Sequence, residues 1–117
     1  MIKKIYIAGK VTGLTPEQYH KNFDDAKELV QSQYHYADIV IPTELCNDDW
    51  SWEQSMEVCI DALWDCDAIV LMENWKDSRG AIIERKLAQK LEIPILEIKN
   101  NEIKIYKNEF QRDYSSY

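Results

Sequence analysis

Four short apolar runs, Ile2 to Ala8, Asp38 to Ile41, Asp67 to Met72 and Pro94 to Ile98, recur along the chain with longer segments between them. Runs this short and this continuously apolar suit strands covered on both faces, since a half-exposed strand would alternate polar and apolar residues. The intervening segments keep a different period. Tyr19, Phe23, Ala26 and Val30 fall on one helical stripe, as do Trp52, Met56, Cys59, Ile60 and Leu63, and again Ile83, Leu87 and Leu91. The order β-α-β-α-β-α-β predicts an α/β fold, a doubly wound parallel sheet with helices on both faces in three layers. Ligands of such sheets bind at the carboxyl ends of the strands. The loops beginning near Gly9 and near Ser78 both fall at that edge, so a pocket for a nucleotide-like ligand is expected between Gly9–Gly13 and Ser78–Glu84.

Local signals set the element boundaries. Gly9 and Gly13 bracket the turn after the first strand. Thr15-Pro16-Glu17-Gln18 then starts a helix, with threonine as N-cap, proline in the first turn and glutamine closing a capping box. Residues 42–50, rich in Asn and Asp, read as a loop, and a second helix begins at about Ser51. Asn100-Asn101 predicts a two-residue hairpin between Leu96–Lys99 and Glu102–Tyr106, because asparagine tolerates positive φ and two residues cannot hold a parallel crossover. One domain over residues 1–110 and a polar tail over 111–117, frayed or held by a partner chain, account for the 117 residues.

The charge balance narrows the partners. With 21 acidic against 14 basic residues, the net charge is −7 and no basic stripe is present, which disfavours nucleic acid polymers while allowing one nucleotide held by positioned amides and a cation. No apolar run reaches membrane-spanning length, and Lys3-Lys4 followed by Ile5-Tyr6-Ile7 lacks the pattern of a signal peptide, so a cytoplasmic protein without membrane contact is expected. Cys46, Cys59 and Cys66 are odd in number and lack zinc-site spacing; they read as reduced, structural thiols.

Few residues carry a chemical signal of their own. Glu84 lies about one and a half turns inside the helix opened by Ser78-Arg79-Gly80, so its carboxylate can reach the same edge as the unpaired amides there, although a glutamate on a helix is ordinarily solvated. Ser78 is equally a plain N-cap, and Gly80 can serve close packing alone. Gly9-Lys10-Val11-Thr12-Gly13 can cradle a phosphate or simply turn the chain; its glycine spacing matches neither a Walker nor a dinucleotide fingerprint. Trp50 and Trp75 fall in loops where an aromatic plate could stack on a base, with core packing as the alternative. His20 and His35 are isolated, and Asp24, Asp25, Asp48 and Asp49 show no metal spacing.

Taken together, Ile5-Tyr6-Ile7-Ala8-Gly9, Cys66-Asp67-Ala68-Ile69 and Ser78-Arg79-Gly80-Ala81-Ile82-Ile83-Glu84 resemble the nucleoside 2-deoxyribosyltransferase-like superfamily. The resemblance covers about residues 4–95 and points to a small, uncharacterised branch, often phage- or prophage-borne and DUF4406-like. It implies a Rossmann-like sheet, protomers paired as a homodimer or larger assembly, no metal or other cofactor, and cleavage or exchange of the N-glycosidic bond of a nucleoside or its 5′-monophosphate. By the same resemblance Glu84 is the nucleophile and Tyr6 orients it. Gly9, Lys10, Thr12 and Gly13 belong to the segment against sugar or phosphate, and Ser78, Arg79 and Gly80 to the phosphate-binding helix start. Active members carry an aspartate eight residues before the Asp67 position, where it contacts substrate and assists leaving-group protonation. Here Cys59 stands in that place, and Asp61 is rotated about two hundred degrees from it on a regular helix.

Two functional expectations follow. One is a glycosidase or deoxyribosyltransferase working through Glu84. The other is a catalytically inactive nucleotide-binding protein, such as a phage protein sequestering a nucleotide immune signal. A structural or interaction domain with a vestigial pocket is the plainer third.

Overall fold

A computed structural model of the chain describes residues 1–107, and the tail expected over 111–117 lies outside the described residues. The elements run β1 (Lys4–Ala8), α1 (Pro16–Gln33), β2 (Asp38–Val40), α2 (Pro42–Leu45), α3 (Trp52–Trp64), β3 (Ala68–Leu71), α4 (Arg79–Leu91), β4 (Ile95–Lys99) and β5 (Glu102–Ile105), with a 3-10 turn at Trp75–Asp77 before α4. The strand order is β2-β1-β3-β4-β5. The first four strands are parallel, and β5 returns antiparallel along β4. This is a Rossmann-like, doubly wound α/β sheet, as the alternation of runs predicts.

Each helix sits where handedness requires. The chain leaves β1 toward β2 on one side and leaves β3 toward β4 on the other, so right-handed crossovers place α1 on one face and α4 on the opposite one. Accordingly Phe23, Ala26 and Val30 of α1 pack on Ile5, Ile7, Ala68 and Val70. Cys59 and Leu63 of α3, with Ala81 and Ala88 of α4, cover Tyr6, Ala8, Ile69 and Leu71. All eight of those β1 and β3 side chains are fully withdrawn from water. At about 1.5–3 kcal/mol for each large apolar side chain, their burial is the main driving force for closing the sheet between its helices.

The starts of α1 and α3 are built alike. The Thr15 hydroxyl accepts from the Gln18 amide while the Gln18 side chain accepts from the Thr15 amide, and Ser51 and Gln54 repeat this reciprocal pair. The Asn100-Asn101 turn takes φ values of 51° and 60°, the left-handed pair needed by a two-residue hairpin. Asp67, one of the residues that carries the family resemblance, accepts from the amides of Lys3 and Lys4 at 2.8 and 3.0 Å. It therefore pins the amino end of β1, opposite the carboxyl edge of the sheet.

Two expectations are corrected. Residues 42–50 are not wholly loop, because Pro42 at the first helical position starts the single turn of α2. The buried stripe of α4 is Ala81, Glu84 and Ala88, whereas Ile83, Leu87 and Leu91 are only half-buried. Two alanines let α4 approach β1 and β3 closely, and that proximity leaves no solvent layer beneath Glu84. Large apolar residues drew the stripe toward the flank of the helix.

Close approach also explains Gly9. A Cβ there would overlap Met72 Sδ, because the Met72 amide donates to the Ala8 carbonyl at 2.8 Å and draws the ends of β1 and β3 together. Gly9→Ala is expected to lower the unfolding free energy by about 1–3 kcal/mol. Chemical denaturation of Gly9→Ala in wild-type and Met72→Ala backgrounds checks this, with a smaller cost expected when Met72 is already truncated.

Candidate functional site

Tyr6, at the centre of β1, projects to the face covered by α3 and α4, and its side chain is wholly buried. Its hydroxyl needs a partner there, since an unpaired buried hydroxyl is costly. Glu84, on the second turn of α4 and 4% exposed, supplies it: the Tyr6 hydroxyl donates to Glu84 Oε2. Cys59, one helix away on α3, belongs to the same buried cluster as Tyr6. Cys46, just past α2, completes the group with its Sγ 3.7 Å from that of Cys59.

Burial governs the charges in this cluster. Desolvation pushes the Glu84 carboxyl up to about 7, opposed by the hydrogen bond from Tyr6, which favours the ionised form. The Tyr6 hydroxyl is raised well above its ordinary value, first by burial and then by the neighbouring Glu84 carboxylate. Desolvation likewise lifts the Cys59 thiol to about 12. At neutral pH the cluster therefore holds a firmly protonated phenol, a firmly protonated thiol and one carboxyl divided between its two forms.

The other expected site residues occupy the carboxyl edge of the sheet. The Lys10 amide donates to Asn74 Oδ1 at 3.0 Å, tying the Gly9–Gly13 segment to the loop after β3. Gly13 has φ 90° in a turn closed by the Leu14 amide on the Val11 carbonyl at 3.1 Å, and Thr12 is exposed on that turn. Ser78 caps α4 by accepting from the Ala81 amide at 3.1 Å. The Arg79 guanidinium stacks on Trp52 at 4.2 Å from the ring centre, an arrangement that holds a cation at the helix start. Gly80 lies so close to Met56 that a Cβ would be 3.0 Å from its Sδ. Packing thus accounts for Gly9 and Gly80, conformation for Gly13, and helix capping for Ser78. Lys10, Thr12 and Arg79 are the expected binding residues whose side chains no buried contact consumes.

Trp75 is buried, with Tyr106 edge-on at 5.7 Å between ring centres, so it is core and not a free stacking plate. Asp61 is exposed and outside the Tyr6–Glu84 cluster, as helical geometry requires. On the opposite face, a cleft of about 240 Å³ opens between α1 and the ends of β3 and β4, lined by Asp25, Leu29, Met72, Asn74 and Ile98 among others. Among the described residues no group of three or more His, Cys, Asp and Glu side chains could hold a metal ion, and no helix is long and apolar enough to cross a membrane.

Sequence reasoning missed Cys46 and Trp52 as members of this region. Neither has a local signal: Cys46 meets Cys59 only because α2 folds against α3, and Trp52 meets Arg79 only because the starts of α3 and α4 converge.

The chain belongs to the family described as a domain of unknown function, DUF4406, whose pattern matches residues 3–97. No curated protein matches it. Its fold is similar to that of a conserved protein from Enterococcus faecalis V583, with a TM-score of 0.63 at 17% identity over 83% of this chain and 63% of that one. The chain thus spans less than two thirds of that relative, and the likeness is one of fold.

The raised carboxyl has a thermodynamic consequence. Between the ordinary glutamate value near 4.5 and its folded value of about 7, Glu84 binds more proton in the folded than in the unfolded state. Its contribution is therefore complete below about pH 4.5 and is lost as pH rises through 7, by on the order of 3 kcal/mol. Denaturation measured from pH 5 to 8.5 should show stability falling across this window, with a flatter profile in Glu84→Gln.

Proposed function

We propose that this member of the DUF4406 family binds a nucleotide or nucleoside at the carboxyl edge of its sheet and holds it without cleaving the glycosidic bond. The observation that carries the proposal is Cys59. Its thiol occupies the place where active relatives of the resembled superfamily carry an acid, and burial lifts it to about 12. Such a group cannot protonate a departing base near neutral pH, which removes a contribution worth about 10²–10⁴ in rate. Asp61 is exposed and away from the cluster, so it does not substitute. Glu84 is itself poorly suited to attack, since it is buried, bonded to Tyr6 and about half protonated at pH 7.

Binding asks less of the same residues. Lys10 and Arg79 bring two cations to one edge of a chain whose net charge is −7, and α4 begins there with its first amides unpaired within the helix. A phosphate is the ligand group that such a helix start, with an adjacent guanidinium, recognises best. A binder that releases its ligand unchanged acts through the free concentration of that ligand, which fits sequestration of a nucleotide signal. Paired protomers belong to the same proposal. Tyr36, Trp64 and Ile105 stand 99%, 59% and 74% exposed, and such side chains are commoner in interfaces than on free surfaces.

The buried bond from Tyr6 to Glu84 favours a second reading, because a glycosidase nucleophile needs this kind of orientation. The two separate in one experiment. Protein incubated with nucleosides, nucleoside monophosphates and NAD-derived nucleotides is ultrafiltered, and filtrate and retained fraction are analysed by mass. The expected result is an intact nucleotide retained with the protein, no free base, and affinity in Glu84→Gln within about tenfold of wild type, or roughly 1.4 kcal/mol. Free base that accumulates with wild type and not with Glu84→Gln would establish the glycosidase instead. Light scattering at tens of micromolar should report a dimer or larger assembly, and a monomeric mass contradicts the pairing.

A further inference from the structure

Cys46 and Cys59 are thirteen positions apart in the chain, yet their sulfurs stand 3.7 Å from each other, in van der Waals contact. They differ in access. Cys59 is 4% exposed inside the helix face, whereas Cys46 is half-buried at the rim, just beyond α2 and followed by exposed Asn47, Asp48 and Asp49. Cys46 Sγ also lies 3.8 Å from the Ser55 carbonyl, which orients it toward α3. A disulfide needs the sulfurs at about 2.05 Å, so closing the contact takes a shift of less than 2 Å. The exposed segment following Cys46 leaves room for that shift from its side.

We propose that Cys46 and Cys59 form a thiol–disulfide exchange site for a low-molecular-weight disulfide, joining in a reversible bond. Cys46, as thiolate, attacks one sulfur of the small disulfide, breaking its S–S bond and expelling one small thiolate, which takes up a proton. The Cys59 sulfur then attacks Cys46 Sγ as its S–H bond breaks, expelling the second small thiolate, which takes up the proton released. Two protein thiols are oxidised by two electrons, and one small disulfide is reduced to two thiols. Cys66 takes no part: its thiol lies at 3.3 Å from the Ala62 carbonyl at the other end of α3.

The exchange requires no bound nucleotide, so it stands or falls separately from the binding proposal. Its consequence reaches the same cluster, because the bond ties the end of α2 covalently to α3 beside Tyr6.

Wild type, Cys46→Ser and Cys59→Ser are equilibrated in glutathione buffers of graded reduced-to-oxidised ratio, quenched in acid, unfolded, alkylated and weighed intact. Wild type is expected to pass from three alkylated thiols to one in a single two-electron step, as a monomeric chain, while each variant keeps its Cys66 thiol and gains at most a glutathione adduct. A peptide map of oxidised wild type should contain Cys46 linked to Cys59, a readout that holds even if a variant folds poorly. Three alkylated thiols in fully oxidising buffer, a stable glutathione adduct on wild-type Cys46, or a bridge involving Cys66 or a second chain would overturn the proposal.

Discussion

The hydrogen bond from Tyr6 to Glu84 joins β1, an interior strand of the sheet, to the helix α4 packed on its face, and most of the unusual chemistry of this chain follows from where it lies. A phenol and a carboxyl buried together satisfy each other's polar groups, and either alone would impose a desolvation cost of some kcal/mol. The pair also sets a charge state. Because water cannot reach the carboxylate, its proton is held to about 7, and because the thiol beside it is equally dry, that proton has no acidic partner to share with. At neutral pH Glu84 is therefore divided between its two forms while Tyr6 and Cys59 stay protonated.

The sheet topology decides what this buried pair adjoins. The order in which strands are added reverses between the parallel neighbours β1 and β3, and the loops leaving them diverge to opposite faces, the place where ligands of doubly wound sheets bind. Gly9 and Met72 hold the two strand ends in contact, Asn74 fastens the Lys10 loop, and Ser78 caps the helix that follows. Each has a structural reason to be what it is. On the binding proposal, the groups left over for a ligand are the cations and the helix-start amides at that edge, which suit recognition of an anion.

Much of the fold was legible because its strands and helices differ in period. The continuous apolar runs at β1 and β3 read as doubly covered strands, and the capping residues Thr15 and Ser78 mark the starts of α1 and α4. The Asn100-Asn101 hairpin was equally local, since its conformation depends on two side chains that tolerate positive φ. The reading failed where tertiary contact overrides local pattern. On α4 the large residues Ile83, Leu87 and Leu91 point to one stripe, yet the helix settles on Ala81 and Ala88 because small residues allow a closer approach to the sheet. Glu84 owes its burial to that rotation, and a glutamate among charged neighbours gives no sign of it. Cys46 beside Cys59 and Arg79 on Trp52 are encounters between elements distant in sequence, which no spacing rule detects.

Glu84 is a buried carboxyl raised to about 7, and its side-chain carbon reports this directly. In protein labelled with ¹³C at the glutamate carboxyl, the resonance absent from Glu84→Gln identifies Glu84, and its shift is followed from pH 4 to 9. A midpoint near 7 is the predicted result and confirms a desolvated carboxyl paired with Tyr6. A midpoint near the ordinary glutamate value of 4.5 would mean that Glu84 is hydrated and fully ionised at neutral pH, contradicting the buried pair and restoring a carboxylate free to act as a nucleophile.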